Sequence, residues 1–194
     1  VVVATDSAKI YTVCEENFIP VMLTEEASSG TDRVFQVALK KTKSFVLNVQ
    51  GDEPFVKIYD LTNLMTSVEK DTQASLGSLY FRSTEKDDFV DPNNVKVVID
   101  SSQYALYFSR HSIPYWKNKD DEFYFCHHIG VYAFRRQSLL QFCQLKPSDL
   151  EQRENLEQLR AIENGMKIKM VEASDKSIGI DTMEDLEKAQ GYYL

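Results

Sequence analysis

The chain has 194 residues, enough for one domain that buries roughly 70% of its unfolded surface. With 30 acidic against 22 basic residues its net charge is −8, which argues against a general phosphate-backbone binder and leaves nucleic acid out as a partner. Cys14, Cys126 and Cys143 lack metal-type spacing and read as free thiols, and no apolar run approaches the ~20 residues needed to cross a bilayer, so a cytoplasmic protein without membrane insertion is expected.

The chain opens at Val1, without Met and already inside an apolar strand, Val1 to Thr5. That start reads as belonging to a protein whose first elements precede Val1. Asp6 or Ser7 can cap a helix running to about Asn17, and Pro20 to Leu23 is a short second strand. Ser28 to Arg33 leads into a helix with Val34, Val37 and Ala38 on one face. Ser29 with Asp32 three residues on resembles a capping box. Such a helix start can also hold an anion or base edge, though a cap alone is the commoner case.

Phe45 to Val49 is an apolar, β-branched run, the mark of a strand buried on both faces. It stops at Gly51, and Asp52 and Glu53 follow at once. Pro54 suits the first position of a helix carrying Ile58, Leu61, Leu64, Met65 and Val68. Asp52 therefore stands where a strand hands over to a helix, the crevice in which open α/β sheets bind ligands; a carboxylate capping that helix accounts for it equally well.

Ala74 to Phe81 predicts a strand, Glu85 to Asn94 a loop or short helix, and Val95 to Asp100 with Tyr104 to Ser109 a hairpin. Ile113 to Glu122 reads as irregular. Phe123 to Phe134 predicts a strand whose alternation puts Cys126, His128, Gly130 and Tyr132 on one face and His127, Ile129, Val131 and Ala133 on the other. The second face reads as core, and the first, polar and holding a glycine, as a place where a ligand approaches the backbone. Neighbours on a strand point apart, so Cys126, His127 and His128 do not make a zinc site.

Ser138 to Gln144 predicts a short helix. Ser148 and Glu151 form a capping box for a helix that buries Leu156, Leu159 and Ile162 and ends at Gly165. Glu157 and Gln158 on that helix read by themselves as a solvated flank. Lys167 to Ala173 and Ile178 to Ile180 are strands, and Asp181 precedes a terminal helix, repeating the Asp52 situation.

Two carboxylates in one crevice repel, and about 4 Å apart they cost on the order of 4 kcal/mol at a surface-like effective dielectric. A cation between Asp52 and Asp181 resolves this, and magnesium prefers one or two carboxylates plus substrate phosphates. No Gly-x-Gly-x-x-Gly, Gly-x-x-x-x-Gly-Lys or Gly-x-Ser-x-Gly occurs, so metal-assisted displacement survives where covalent catalysis does not.

Six stretches carry a family resemblance: Ala4-Thr5-Asp6; Asn48 to Pro54; Tyr104 to Arg110 with Ile113-Pro114; His128-Ile129-Gly130-Val131-Tyr132; Leu156 to Arg160; and Ile180-Asp181-Thr182 with Glu184-Asp185-Leu186. In this order and spacing they resemble the 3-deoxy-manno-octulosonate cytidylyltransferase (CMP-Kdo synthetase) family along the whole chain. The resemblance implies an α/β, nucleotide-diphospho-sugar transferase-like (Rossmann-like) three-layer fold with a mixed central sheet. It implies one cytidylyltransferase domain over 1–194 and a small β-rich dimerisation insertion at about 81–124. It further implies a homodimer that joins CTP and Kdo, with Mg2+, into CMP-Kdo and pyrophosphate for lipopolysaccharide biosynthesis.

Carried over by position, Asp52 and Asp181 resemble the catalytic magnesium ligands. Ser29, Gly30, Arg33 and Gln50 resemble the cytidine side, and Arg110, His128, Gly130, Tyr132, Glu157 and Gln158 the sugar side. The resemblance thus replaces the solvated-flank reading of Glu157 and Gln158. Two departures stand out. Met183 takes the place of the family's usual Pro. The family's opening strand and triphosphate loop, roughly Pro-x-Arg-x-x-Ser-Thr-Arg-x-Pro-Gly-Lys, is not in the chain, and a protein that really lacked it is expected to be inactive. A synthetase for a related acidic sugar (8-amino-Kdo or a sialic-acid type) and a non-catalytic nucleotide-sugar binding protein are the rival readings.

Overall fold

The computed structural model describes residues 1–117, 122–177, 179–180 and 182–191. The first strand, β1 (Val3–Thr5), runs into α1 (Ala8–Glu16), capped by the Ser7 hydroxyl, and β1 pairs in parallel with β2 (Val21–Leu23). Then come α2 (Gly30–Leu39), β3 (Phe45–Val49), α3 (Ile58–Lys70), β4 (Leu76–Ser83) and the short α4 (Lys86–Val90). The hairpin β5 (Lys96–Ile99) and β6 (Ala105–Ser109) leads to the long β7 (Phe125–Arg135). Four helices, α5 (Arg136–Gln144), α6 (Asp149–Glu154), α7 (Gln158–Glu163) and the terminal α8 (Met183–Gly191), complete the chain with β8 (Ile168–Glu172) between α7 and α8.

β7 organises the larger sheet, whose order is β6-β5-β7-β4-β8. Along one edge β7 pairs antiparallel with β4, and β4 pairs in parallel with β8, which makes the sheet mixed. Its other edge is shared, because β3 pairs with residues 131–135 and β5 with residues 126–127. The apolar runs of the sequence explain the layers. On one face α3 buries Leu64 and Val68 against Leu79, Ile129, Val131 and Ala133. On the other, α2, α5 and α7 cover Leu76, Phe108, Tyr132 and Phe134, each fully buried Leu, Val or Phe contributing about 1.5–3 kcal/mol. The expected three-layer α/β fold with a mixed central sheet is therefore the observed one; the face of β7 expected as core packs against α3, and the face expected to meet a ligand is buried too, Tyr132 lying in the second core with Phe134.

Gly77 sets how closely α3 approaches β4. A Cβ there would stand 2.4 Å from Val68 Cγ2 and 2.9 Å from Leu64 Cδ1, so any larger residue would push the helix off the sheet.

Three expectations are corrected. Pro54 does not open a helix: α3 starts at Ile58 with Lys57 as N-cap, and Asp52 lies in a turn, so helix capping does not account for it. The helix predicted from Ser148 to Gly165 is two, broken at Asn155, whose φ of 53° is left-handed. Glu154, just before the break, accepts from the Ser109 hydroxyl at 2.7 Å and from the Arg110 N–H at 2.9 Å, anchoring the turn to β6. Of the strand expected at 178–180, Ile178 lies outside the described residues, and Gly179 and Ile180 belong to no strand.

Candidate active site

Asn48 is a polar residue in an apolar strand, 3% exposed, and burial at that depth requires a partner. Its Nδ2 donates to Thr31 Oγ1 at 3.3 Å, and Thr31, fully buried in the first turn of α2, donates to Glu157 Oε1 at 2.5 Å. This chain ties the end of β3 to the start of α2 and to the junction between α6 and α7.

Beyond β3 the turn carries Gln50, Asp52 and Glu53 back over β7. The Gln50 side chain lies between two glycines: a Cβ at Gly30 would sit 3.8 Å from its Nε2, and one at Gly130 3.7 Å from its Oε1. The Gly130 N–H donates to Glu53 Oε1 at 3.4 Å, and Ser177 Oγ donates to Glu53 Oε2 at 2.5 Å. The Ile180 N–H donates to the Asp52 carbonyl at 2.8 Å, fixing the segment that leads to Asp181 against the same turn. Asp181 itself lies outside the described residues.

The charges of this cluster converge on Tyr132. Burial pushes its phenol well above the usual range, and the carboxylates of Glu157, Asp52 and Glu53 push it further. The His128 ring stands beside it, with centroids 5.6 Å apart, and 4.9 Å from Phe108. Burial holds the His128 pKa down at about 3, so the imidazole is neutral at neutral pH.

Asp52 Oδ1, Glu157 Oε2 and Gln158 Nε2 are buried yet have no hydrogen-bond partner among the described residues. A buried polar atom left unpaired costs about 1–3 kcal/mol; the carboxylates of Asp52 and Glu157 both act on the Tyr132 phenol and Gln158 follows Glu157 in the chain, which describes a site made for a polar ligand. The predicted residues Gly30, Gln50, Asp52, His128, Gly130, Tyr132 and Glu157 thus come together, with Gln158 next to Glu157. Glu157 and Gln158 are not a solvated flank: Gln158 is 3% exposed.

Others of the predicted set are engaged elsewhere. Ser29 caps α2, its Oγ accepting from the Asp32 N–H at 3.2 Å. Arg33 donates to Asp6 Oδ2 and to Thr24 Oγ1, both at 2.7 Å. Arg110 spends its guanidinium on the carbonyls of Glu154 at 2.8 Å, Pro92 at 3.1 Å and Asn155 at 3.4 Å, which sets it at the turn leading into Glu157. A cavity of ≈ 230 Å³ lined by Lys57, Asp60, Ile129 and Ala173 lies on the α3 side, and its Lys57 is already paired with Asp175 at 2.9 Å.

Asp52 suits a hard cation, since a buried carboxylate oxygen without a partner is the donor magnesium takes. Among the described residues no three His, Cys, Asp or Glu side chains form a metal-holding group, so a cation at Asp52 would complete its shell from elsewhere. Thr31, Asn48 and Ser177 were not singled out from the sequence; an Asn inside an apolar strand was the one local signal available.

The cytidylyltransferase family model matches residues 1–168. The 3-deoxy-manno-octulosonate cytidylyltransferase of Flavobacterium johnsoniae is 45% identical over 193 residues, 98% of this chain and 79% of the relative. That of Lawsonia intracellularis is 44% identical over 98% of the chain and 76% of the relative. The chain belongs to the 3-deoxy-manno-octulosonate cytidylyltransferase family. A solved member, CMP:2-keto-3-deoxy-manno-octonic acid synthetase complexed with CTP, superposes with a TM-score of 0.92 at 34% identity, covering 100% of this chain and 80% of that one. As a member of this family the chain is a nucleotidyltransferase, and the crevice at the end of β3 is its candidate active site.

Proposed function

We propose that this chain transfers the cytidylyl group of CTP to 3-deoxy-D-manno-octulosonate, giving CMP-Kdo and pyrophosphate. The observation that carries the reading is the set of unpaired buried atoms, Asp52 Oδ1, Glu157 Oε2 and Gln158 Nε2, in a chain of this family. The anomeric oxygen of the sugar bonds to the α-phosphorus as the bond to pyrophosphate breaks, and the hydroxyl's proton passes to solvent water. No side-chain nucleophile is needed, so catalysis is positioning and charge stabilisation.

Each residue has a stated task. Glu157 Oε2 accepts from a sugar hydroxyl, Gln158 Nε2 donates to the sugar, and His128 and Tyr132 close the sugar side. Arg110, freed from its carbonyl partners, suits the sugar carboxylate, which its fork can bind through both oxygens. Gln50 and the Ser29–Gly30 turn, with Arg33, form the cytidine side. Asp52 and Asp181 would hold Mg2+, which would supply charge neutralisation on the phosphates and activation of the hydroxyl.

The enzyme works as a cytoplasmic homodimer, with Mg2+ as cofactor. Three free cysteines suit a reducing compartment, and no described helix is long and apolar enough to cross a membrane. In the 81–124 insertion, Val90 at 67%, Leu106 at 55% and Tyr115 at 87% exposure offer apolar surface for a second copy.

The test is pyrophosphate release from CTP by the full-length enzyme with Kdo, 8-amino-Kdo or sialic acid in turn. Release that depends on Kdo supports the reading. Preference for another of the acids moves the assignment to that sugar, and no release with any of them overturns it in favour of a binding protein.

A further inference from the structure

β7 carries a bulge beside His128. Ser78 pairs with Tyr132, yet the next residue, Leu79, pairs with Ile129, so Gly130 and Val131 are extra on β7. Ser78, fully buried, fills the irregularity with its hydroxyl. The Oγ lies 2.8 Å from the Val131 carbonyl, 3.3 Å from the Ile129 carbonyl and 2.8 Å from His128 Nε2.

The hydrogens can be assigned by counting. A hydroxyl has one hydrogen and two lone pairs, and a carbonyl only accepts. The Ser78 hydrogen therefore goes to the Val131 carbonyl. Were His128 protonated on Nδ1 instead, Nε2 would need that same hydrogen, and the 2.8 Å contact to Val131 would set lone pair against lone pair. Only a hydrogen on Nε2 satisfies both contacts. Burial keeps the ring neutral, so Nδ1 carries a lone pair.

We propose that Ser78 is a positioning residue that locks His128 in its Nε2–H tautomer, so that Nδ1 is the ring nitrogen left to accept a hydrogen bond from the substrate. The inference rests on the reading of His128 as a sugar-side residue. A neutral acceptor repels a carboxylate and takes a hydroxyl, so His128 reads a sugar hydroxyl, and the acid group of the sugar binds elsewhere in the site.

The test is the 15N shift of the ring nitrogens in the uniformly labelled full-length enzyme, with His128 assigned by its disappearance in His128→Gln. The expected result is a protonated Nε2 and an unprotonated Nδ1; the opposite pattern overturns the proposal without any variant. In Ser78→Ala the two tautomers mix, and the KM for the sugar acid rises about tenfold while that for CTP holds. A variant with one tautomer and an unchanged sugar KM overturns the positioning role. Unchanged sugar KM in His128→Gln would instead remove His128 from the sugar site, leaving the ring-nitrogen result to judge the Ser78 bond by itself.

Discussion

The Thr31 hydroxyl donates to Glu157 at 2.5 Å across 126 residues of chain, so the first turn of α2 and the start of α7 are held as one wall of the crevice. One oxygen of Glu157 is spent on this bond, and the other has no partner among the described residues. Thr31 thereby decides which oxygen Glu157 offers to a ligand. Thr31→Val keeps the shape and removes the hydroxyl, leaving Glu157 Oε1 and Asn48 Nδ2 without their partner. The variant should lose about 1–3 kcal/mol, read from urea denaturation, and bind the sugar acid more weakly.

Two glycines in neighbouring strands should respond to alanine by very different amounts. At Gly77 the new Cβ would be 2.4 Å from Val68 Cγ2 and 3.2 Å from the Lys169 carbonyl, whereas at Gly130 its neighbours stand no closer than 3.7 Å. Gly77→Ala should lower the unfolding free energy by about 1–3 kcal/mol, and Gly130→Ala by less than about 0.5 kcal/mol. Thermal melts of the two variants check the contrast.

Arg160 and Glu151 form a buried ion pair at 2.5 Å, with side chains 4% and 12% exposed. Glu151 also closes the capping box of α6 by accepting from the Ser148 N–H at 3.0 Å. Arg160→Ala strands a buried carboxylate that fastens α6 to α7, and the expected loss is about 3–5 kcal/mol. Paired removal in Arg160→Met with Glu151→Gln should recover part of it in the same denaturation measurement.

The pH dependence has a definite sign. His128 titrates at about 3 in the fold against 6.5 when free, and His127, also held down by burial, at about 4. Between these values the unfolded chain binds protons that the fold does not. The stability is therefore full above about pH 6.5 and falls as the pH drops, by about 1.4 kcal/mol per pH unit for each histidine inside its window. The loss in unfolding free energy between pH 7 and pH 5 should be smaller in His128→Gln than in the unsubstituted protein.

Much of this site was legible because its signals are local. An apolar run ended by Gly51 and followed by Asp52 marks a strand opening into a crevice, and alternation alone separated His128 and Tyr132 from Ile129 and Val131. The break at Asn155 was not legible. Leu156, Leu159 and Ile162 keep helical spacing across it, and that spacing masks Asn155, although Asn is one of the few non-glycine residues that favour left-handed φ. Pro54 misled for a similar reason, since a proline suited to a helix start suits a turn as well. The Thr31–Glu157 bond and the Ser78–His128 bond join residues far apart in the chain, which no periodicity reports.

The most direct test of the account is sugar-dependent pyrophosphate release by the full-length enzyme and its Asp52→Asn variant, assayed with CTP, Kdo and Mg2+. The account predicts that the variant folds and that its release falls by a factor on the order of 10²–10³, the scale of losing one preorganised charge-stabilising group. Release within a few-fold of the unsubstituted enzyme would contradict it and remove Asp52 from the chemistry.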